Sequence, residues 1–385
     1  MDADILVIGA GPAGCSAAIR LVEAGHRVLV LERHSAAEVR DMTSGELMAP
    51  GTQDECAALG IEFAGDWVCD RVTGVRNVYP DLSWTYHAFP SGISYVQVDR
   101  GGFDAALRRR LVATGGRLLH DVRVTAVEIS PEEALVKTAD GDEYRARMVI
   151  DAAGRYAPTL TGSRWKEEDP EFCQIGVAFF FESFPDVPLH TWDRHLHGER
   201  GVMLSGSQIR PGLCRYILEA DLADKQAAGM KPAAFYESMA ARYDPWIHRR
   251  LATAPRTGDI WAMAPLAYRA RSVAGDRLLL AGDAAGYLSP ITGQGVEFAM
   301  RMGRLAAKAA DQALQAGDLS ASAFVPYIEQ RQAELEQAIE YVRSQLRHFR
   351  DREALLRAAT DDDLRCTMFG PIGAIVDDRG TLADA

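Results

Sequence analysis

Two glycine-rich stretches carry residue types whose spacing can do chemistry. In the first, Gly9-Ala10-Gly11-Pro12-Ala13-Gly14, a G-x-G-x-x-G follows a short apolar run and opens a helical pattern. The first glycine permits a tight turn and the second lets backbone approach a pyrophosphate. The third allows close helix–strand packing, and the helix N-terminus supplies N–H donors and positive potential. Glu32 lies 18 residues beyond Gly14, where its carboxylate can accept hydrogen bonds from a ribose hydroxyl. A carboxylate there repels the extra phosphate of NADP and argues against that nucleotide. In the second stretch, Gly282-Asp283-Ala284-Ala285-Gly286 leads through Ser289-Pro290 to Gly293-Gln294-Gly295 at the start of a long helix. Asp283 can hold a sugar-like hydroxyl chain. The glycines let a helix N-terminus approach an electron-rich ring, where its dipole stabilises negative charge on reduction.

These residues need elements to position them. Residues 4–9 (DILVIG) read as a buried parallel strand, 13–24 as a helix and 27–32 (RVLVLE) as a second buried strand, one βαβ unit. Residues 100–114 have helical spacing, with Phe103, Leu107 and Leu111 on one stripe. Strands are expected at 122–130, 134–138 and 148–152, with a turn at Asp140-Gly141-Asp142. Between 165 and 265 the pattern changes: 172–182, 201–209 and 214–222 alternate like antiparallel strands, with a helix around 231–243. Residues 277–281 (RLLLA) return to a buried strand, followed by a helix over 296–316. The last 60 residues read as mainly helical, with a mobile Gly/Pro stretch at 369–373.

The expected fold class is therefore α/β. A discontinuous nucleotide-binding domain takes residues 1–80, 96–164 and 262–320, and an inserted antiparallel-sheet substrate domain takes 81–95 and 165–261. A C-terminal helical region takes 321–385. The length of 385 residues allows two or three domains, and no internal repeat is present.

Composition excludes several classes. Lys and Arg number 42 against 54 Asp and Glu, and the net charge of −12 argues against a large nucleic-acid or anionic-membrane footprint. No apolar run approaches the ~20 residues that cross a bilayer. No basic n-region opens the chain, and a cytoplasmic location is expected. Six scattered cysteines without a C-x-x-C fit free thiols better than disulfides or structural zinc. His190, His195 and His197 lack further ligands at metal spacing and read as solvated loop histidines, so no metal is expected. No G-x-S-x-G marks a hydrolase nucleophile.

Together, the G-x-G-x-x-G and the GDAA…P…GxG near residue 290 resemble the flavoprotein monooxygenase superfamily with the p-hydroxybenzoate hydroxylase fold. The resemblance implies a Rossmann-like FAD-binding domain of the GR2 type. In it Gly9, Gly11, Ala13 and Gly14 hold the ADP half of FAD, Glu32 the adenosine ribose, and Asp283 the ribityl–pyrophosphate region. Pro290 and the Gly293, Gln294 and Gly295 segment hold the ring edge. Arg33 and Arg40 are further candidate contacts, Arg40 reading equally as a surface arginine. Three shorter matches narrow the branch. Ser44-Gly45-Glu46 with Pro50 resembles the G-E-S-x-x-P region of flavin-dependent halogenases and geranylgeranyl-reductase-like oxidoreductases. Val98-Asp99-Arg100-Gly101-Gly102-Phe103-Asp104 resembles their R-x-x-F-D segment, which implies Arg100 near the FAD phosphates. Asp151-Ala152-Ala153-Gly154-Arg155 matches their D-A-S-G-R form.

The chain also departs from that branch. Halogenases relay hypohalous acid on a lysine after G-E-S-x-x-P and carry a later W-x-W-x-I-P. Here the first of only five lysines is Lys137, and Trp261-Ala262-Met263-Ala264-Pro265 stands in place of the second motif. Archaeal-type geranylgeranyl reductases place a cysteine near the flavin, and residues 45–51 (GELMAPG) contain none.

The activity implied is FAD-dependent monooxygenation in secondary metabolism, hydroxylating or epoxidising an aromatic or polyketide-like molecule through a flavin C4a-hydroperoxide. O₂ is the co-substrate, and NAD(P)H or a separate flavin reductase supplies electrons. The alternatives are reduction of C=C bonds, hydroxylation of a peptidyl tryptophan, halogenation, or a non-catalytic flavoprotein. Trp84, Tyr86, His87, Phe89 and Tyr95 crowd one segment that alternation splits between two faces, one lining an aromatic cavity or simply packing a sheet. His87 and Tyr86 are the candidate bases for a phenolic substrate. Phe179-Phe180-Phe181 is expected to turn its middle ring outward.

Overall fold

The computed structural model describes residues 1–36, 45–160, 166–168, 173–182, 187–266, 268–287, 290–369 and 375–382. β1 (Ala3–Ile8) and β2 (Val28–Leu31) flank α1 (Pro12–Glu23) and pair in parallel, from Ile5 with Val28 to Ile8 with Leu31. β8 (Arg117–Leu119) extends this sheet beyond β2, and β11 (Glu143–Asp151) and β20 (Leu278–Leu280) extend it beyond β1, all in parallel. β19 (Ala274–Gly275) pairs antiparallel with β20, while β9 (Val124–Ile129) and β10 (Ala134–Thr138) add an antiparallel meander to β11.

The apolar runs of β1 and β2 do not alternate because both faces are covered. Ile5, Val7, Val28 and Val30 face a core shared with α1, α3 (Arg100–Ala113) and α7 (Gly295–Ala316). Leu6, Ile8, Leu29 and Leu31 face Ala134 and Val136 of the meander. α2 (Pro50–Ala57) also lies against α7. Where α7 crosses α1, Gly303 has no side chain, and a Cβ there would run into the carbonyl oxygen of Ala13.

The second layer is an eight-stranded sheet. Its order is β17 (Arg256–Leu266), β13 (Gln174–Glu182), β16 (Leu213–Asp221), β15 (Met203–Arg210), β14 (Thr191–Leu196), β5 (Gly74–Val78), β6 (Ser83–Ala88) and β22 (Asp378–Thr381). Every neighbouring pair is antiparallel except β14 with β5. α4 (Leu222–Ala228) follows β16, and α5 (Pro232–Tyr243) and α6 (Pro245–Thr253) cover one face with Phe235, Tyr236, Trp246 and Ile247. Phe179 and Phe181 join that core, while Phe180 lies beside Arg215 on the other face. The opposite face of the sheet turns toward the parallel-sheet unit.

Two small sheets complete the strands: β3 (Leu47–Met48), β7 (Tyr95–Val98) and β4 (Val68–Val72); and β12 (Lys166–Glu168), β18 (Tyr268–Ala270) and β21 (Gly286–Tyr287). α8 (Val325–His348), α9 (Arg352–Ala358) and α10 (Asp362–Phe369) pack Val342, Leu346, Leu355 and Met368 against Tyr79, Leu196 and Ile291.

Three boundaries differ from the sequence reading. The large sheet already takes in Gly74–Val78, ahead of residue 81, because buried Arg76 and Asn77 find polar partners and conceal the strand pattern. β17 continues to Leu266, past residue 261. After α10 the tail returns as an edge strand, β22, pairing Asp378 with Tyr86 and Thr381 with Ser83. Residues 370–374, most of the Gly/Pro stretch, lie outside the described residues.

Candidate functional site

A cavity of about 1260 Å³ separates the C-terminal edge of the parallel sheet from the open face of the large sheet. Single small-molecule pockets run to about 300–1,000 Å³, so this one has room for a dinucleotide and a substrate together. Gly9, Gly11, Ala13, Glu32, Arg33, Arg100, Asp283, Gly293 and Gly295 line it.

The turn after β1 shows why glycines stand there. Gly9 has φ +94°, and a Cβ on it would sit 2.6 Å from the Ala152 carbonyl oxygen. Gly14 is packing rather than lining, since a Cβ would collide with the Gly9 carbonyl oxygen. Gly11 faces open space, with nothing within 4 Å of its Cβ position. The backbone at Gly11 is therefore approachable by a pyrophosphate, as the first motif requires. Glu32 is aimed by backbone donors: its carboxylate accepts from Ala10 N–H at 2.7 Å and His34 N–H at 3.0 Å. Arg33 stands beside it, its Nε donating to the His34 ring at 2.9 Å.

The D-R-G-G-F-D segment starts α3. Asp99 caps the helix by accepting from Gly102 N–H at 2.6 Å, Phe103 is buried, and Asp104 accepts from Arg100 Nε at 3.0 Å. Arg100 is thereby held at the cavity wall. Asp283 follows β20 in a short turn, and burial pushes its carboxyl up to about 6 against the pull of Arg155 and Arg100. An ionised carboxylate in that setting is stabilised by hydroxyl donors, which a ribityl chain provides. α7 begins at Gly295 without a side-chain cap, so its first-turn N–H groups remain for a ligand, and nothing lies within 4 Å of the Gly295 Cβ position. These residues fit FAD: a nucleotide cradle at Gly9–Gly14, a ribose acceptor at Glu32, and an uncapped helix end for the ring.

Some expected contacts fall elsewhere. Gln294 is the N-cap position of α7 and lines a second, smaller cavity instead. Pro290 opens a short 3-10 turn, Pro290–Thr292. Arg40 and Ser44 lie outside the described residues. Asp151 does not face the cavity as a ligand; its carboxylate accepts from Ala153 N–H at 3.0 Å and from Thr159, fixing the turn.

The candidate bases are not brought to the site. His87 is 1% exposed, near the outer edge of the large sheet, with its ring on Thr85 Oγ1 at 2.8 Å and the Ile375 carbonyl at 2.6 Å. Tyr86 lies on the other face of the same strand, covering Gly74. β22 pairs beside their strand at the sheet edge, and neither residue lines the cavity. From the same aromatic segment, Tyr95 packs with Phe89 and Trp192 and lines the second cavity.

The histidines also correct the sequence reading. His190 is exposed and pairs with Asp70 at 2.6 Å, as a surface residue would. His195 is fully buried between Asp193 at 3.1 Å and Asp244 at 2.6 Å. Burial opposes its charging, but the two carboxylates outweigh it and raise the imidazole to about 9. Burial pushes His197 down to about 4. Among the described residues no group of three or more His, Cys, Asp or Glu is placed to hold a metal.

The wall opposite the Gly293 end comes from residues that sequence reasoning left unassigned. Arg215 ion-pairs with Glu46 and stacks over Trp261 at 5.4 Å. Gln97 donates to Ser207, and Ser205 and Glu219 line the same face. The signal was present: on β15 and β16, small or charged residues alternate with Leu204, Tyr216 and Leu218, and that polar stripe faces the cavity instead of solvent. Among the described side chains that line the cavity there is no lysine or cysteine. No helix among the described residues is long and apolar enough to cross a membrane.

Comparison with known proteins follows this geometry. A family model described as FAD dependent oxidoreductase matches residues 4–67, and one described as lycopene cyclase protein matches residues 71–168. The chain is 29% identical over 332 residues to a menaquinone reductase of Mycobacterium tuberculosis, covering 80% of this chain and 77% of the relative. It is 27% identical to a digeranylgeranylglycerophospholipid reductase of Methanosarcina mazei, covering 82% and 77%. A halogenase solved in complex with FAD superposes with a TM-score of 0.78 at 15% identity, over 95% of this chain and 80% of that one. The chain is similar to FAD-dependent oxidoreductases, its sequence relatives including a pyrrole-2-carbonyl carrier-protein chlorinase of Pseudomonas fluorescens, 25% identical over 85% of this chain and 79% of the relative, beside the two reductases.

Proposed function

We propose that the protein is an FAD-dependent monooxygenase that hydroxylates or epoxidises an aromatic or polyketide-like small molecule. The observation that carries this reading is the wall facing the Gly293–Gly295 end of the cavity. There, polar pairs from Arg215 with Glu46 and Gln97 with Ser207 stand among the rings of Trp192 and Trp261, and none of the described side chains lining the space is a lysine. A fold of this kind with no described lysine placed to relay hypohalous acid favours direct oxygen transfer over halogenation. FAD, when bound, supplies the redox chemistry, so that substrate, O₂, NAD(P)H and a proton give hydroxylated product, water and NAD(P)⁺, with a separate flavin reductase as the other electron source. The chain's own residues bind, orient and exclude water. Glu32 and Asp283 accept from the cofactor's hydroxyls, and the uncapped end of α7 faces the ring. Arg215 and Glu46 offer a donor and an acceptor to polar groups of a flat substrate, while Trp192 and Trp261 cover its faces.

Reduction of a C=C bond is the second reading, favoured by the menaquinone and digeranylgeranylglycerophospholipid reductases among the sequence relatives. The polar wall and the lack of a cysteine among the described lining side chains weigh against it. Turnover of the FAD-loaded protein on a panel of phenols, polyketide-like aromatics and prenylated quinones, under isotopically heavy O₂ with bromide present, separates the outcomes. Heavy oxygen in the product supports monooxygenation; a product gaining two hydrogens or a bromine refutes it.

A further inference from the structure

The second cavity, of about 460 Å³, lies next to the first, and Trp192 lines both. It runs from half-exposed Tyr341 to buried Ile291, and Gln294 at the start of α7 stands in its wall. Its volume is that of a small-molecule site. Its notable group is Arg194, only 8% exposed. β14 sends Asp193 and His195 to one face, where Arg76 and Asp244 neutralise them, and Arg194 to the other with Trp192.

No carboxylate among the described residues ion-pairs with Arg194. Its guanidinium lies over the Trp192 ring at 5.3 Å and the Phe369 ring at 5.4 Å, and Nε donates to buried Asn77 Oδ1 at 2.9 Å. The two ring contacts and the Asn77 bond to Nε hold the guanidinium in place, and its two terminal nitrogens form a parallel pair of donors. That fork matches a carboxylate end-on. A phosphate dianion is a poorer match, because the cavity's other guanidinium, Arg301, is already held by Glu334 at 2.9 Å and Glu297 at 3.5 Å. Tyr95 and Trp192, 5.7 Å apart between ring centroids, give the neighbouring wall a flat apolar character.

We propose that this cavity binds a planar carboxylic acid, its carboxylate on Arg194 and its ring against Trp192 and Tyr95. The proposal rests on the small-molecule reading above and adds to it an aromatic acid held in the cavity that adjoins the first at Trp192. Benzoate is the probe and benzamide its neutral counterpart, titrated into the FAD-loaded protein and followed by tryptophan fluorescence and the flavin difference spectrum. Benzoate is expected to bind at least about tenfold more tightly than benzamide, the loss of a charge-assisted bidentate contact being worth that or more. Arg194→Gln is expected to abolish the difference at unchanged FAD content, and Arg194→Lys to restore part of it. Equal binding of benzoate and benzamide, no saturable benzoate binding, indifference to Arg194→Gln, or displacement of benzoate by equimolar inorganic phosphate would each overturn the proposal. If Arg194→Gln does not fold, the benzoate–benzamide–phosphate comparison on the unaltered protein decides it. Oxygen transfer is judged separately by product, so either reading can fail alone.

Discussion

The hydroxyl of Ser16 on α1 donates to the carbonyl oxygen of Met300 on α7 at 2.7 Å, joining helices that begin at the two FAD motifs. Both helices direct an N-terminus at the cavity, so their separation sets the distance between the pyrophosphate cradle and the ring end. Four residues earlier than Arg20, Ser16 also accepts from that arginine at 2.6 Å, and Arg20 reaches Glu55 on α2 at 2.7 Å.

Spacing of these helices is therefore predicted to control cofactor retention. Ser16→Ala should cost about 1 kcal/mol, the loss of one buried hydrogen bond. Gly303→Val should do more, because its Cβ position overlaps the Ala13 carbonyl and sits 3.0 Å from the Ser16 Cβ. Thermal melts and the flavin-to-protein absorbance ratio after gel filtration check both. Full FAD content in Gly303→Val would show that the helix crossing does not set the site.

Asp283 gives a pH dependence. Its carboxyl is raised to about 6, chiefly by burial. Below that value it is protonated and accepts hydroxyl hydrogen bonds less well, so FAD affinity of the apoprotein should fall as pH drops through about 6. Asp283→Asn should bind more weakly at neutral pH and lose that inflection, as read by flavin fluorescence quenching. Because the carboxyl is raised, apoprotein stability should also fall as pH climbs from the ordinary carboxylate range toward 6.

The nucleotide half was legible because its chemistry dictates local sequence. A pyrophosphate on a helix end demands Gly9, Gly11 and Gly14 at fixed spacing, and a ribose demands a carboxylate such as Glu32 at the end of the next strand. The substrate wall was not legible, because Arg215 and Ser205 are polar on a strand face that encloses a cavity, and the same pattern would suit a solvent-facing sheet. His87 misled for the complementary reason. An aromatic-rich strand suggests a pocket, but the edge strand β22, some 290 residues later, pairs beside it. His195 is hidden similarly, since its partner Asp244 comes from another element.

Asp193, His195 and Asp244 should act as a single stabilising unit. Removing the imidazole leaves two buried carboxylates facing each other, so His195→Leu should cost about 3–5 kcal/mol. The sign with pH follows from the shifts. His195 is raised to about 9, so its contribution is complete below its unfolded value near 6.5 and disappears as pH rises through about 9. Asp193, pulled down by Arg76 and His195 against burial, contributes above the ordinary carboxylate range and loses this in acid. His197, held down to about 4, favours the folded state progressively as pH rises from 4 to 6.5. Urea denaturation across pH should give greatest stability near pH 6.5 with a fall toward pH 9, and His195→Leu, destabilised throughout, should lose that alkaline fall. A flat profile would contradict the charged arrangement.

Glu46 and Arg215 form a largely buried pair, with side chains 8% and 13% exposed. Either Glu46→Leu or Arg215→Leu alone removes one half of the pair and should cost about 3 kcal/mol, whereas the double substitution should cost less than the sum of the two. FAD content should hold in all three. Additive losses in a double-mutant cycle would mean the two side chains act independently.

The reaction of the reduced flavin with oxygen tests the central claim most directly. The FAD-loaded protein, reduced anaerobically, is mixed rapidly with oxygenated buffer, with and without bromide and with an aromatic acid that it binds. Monooxygenation predicts a blue-shifted flavin transient that decays with formation of oxygenated product and is indifferent to bromide. Direct return to oxidised flavin with stoichiometric hydrogen peroxide under every condition, or bromide-dependent product, contradicts it.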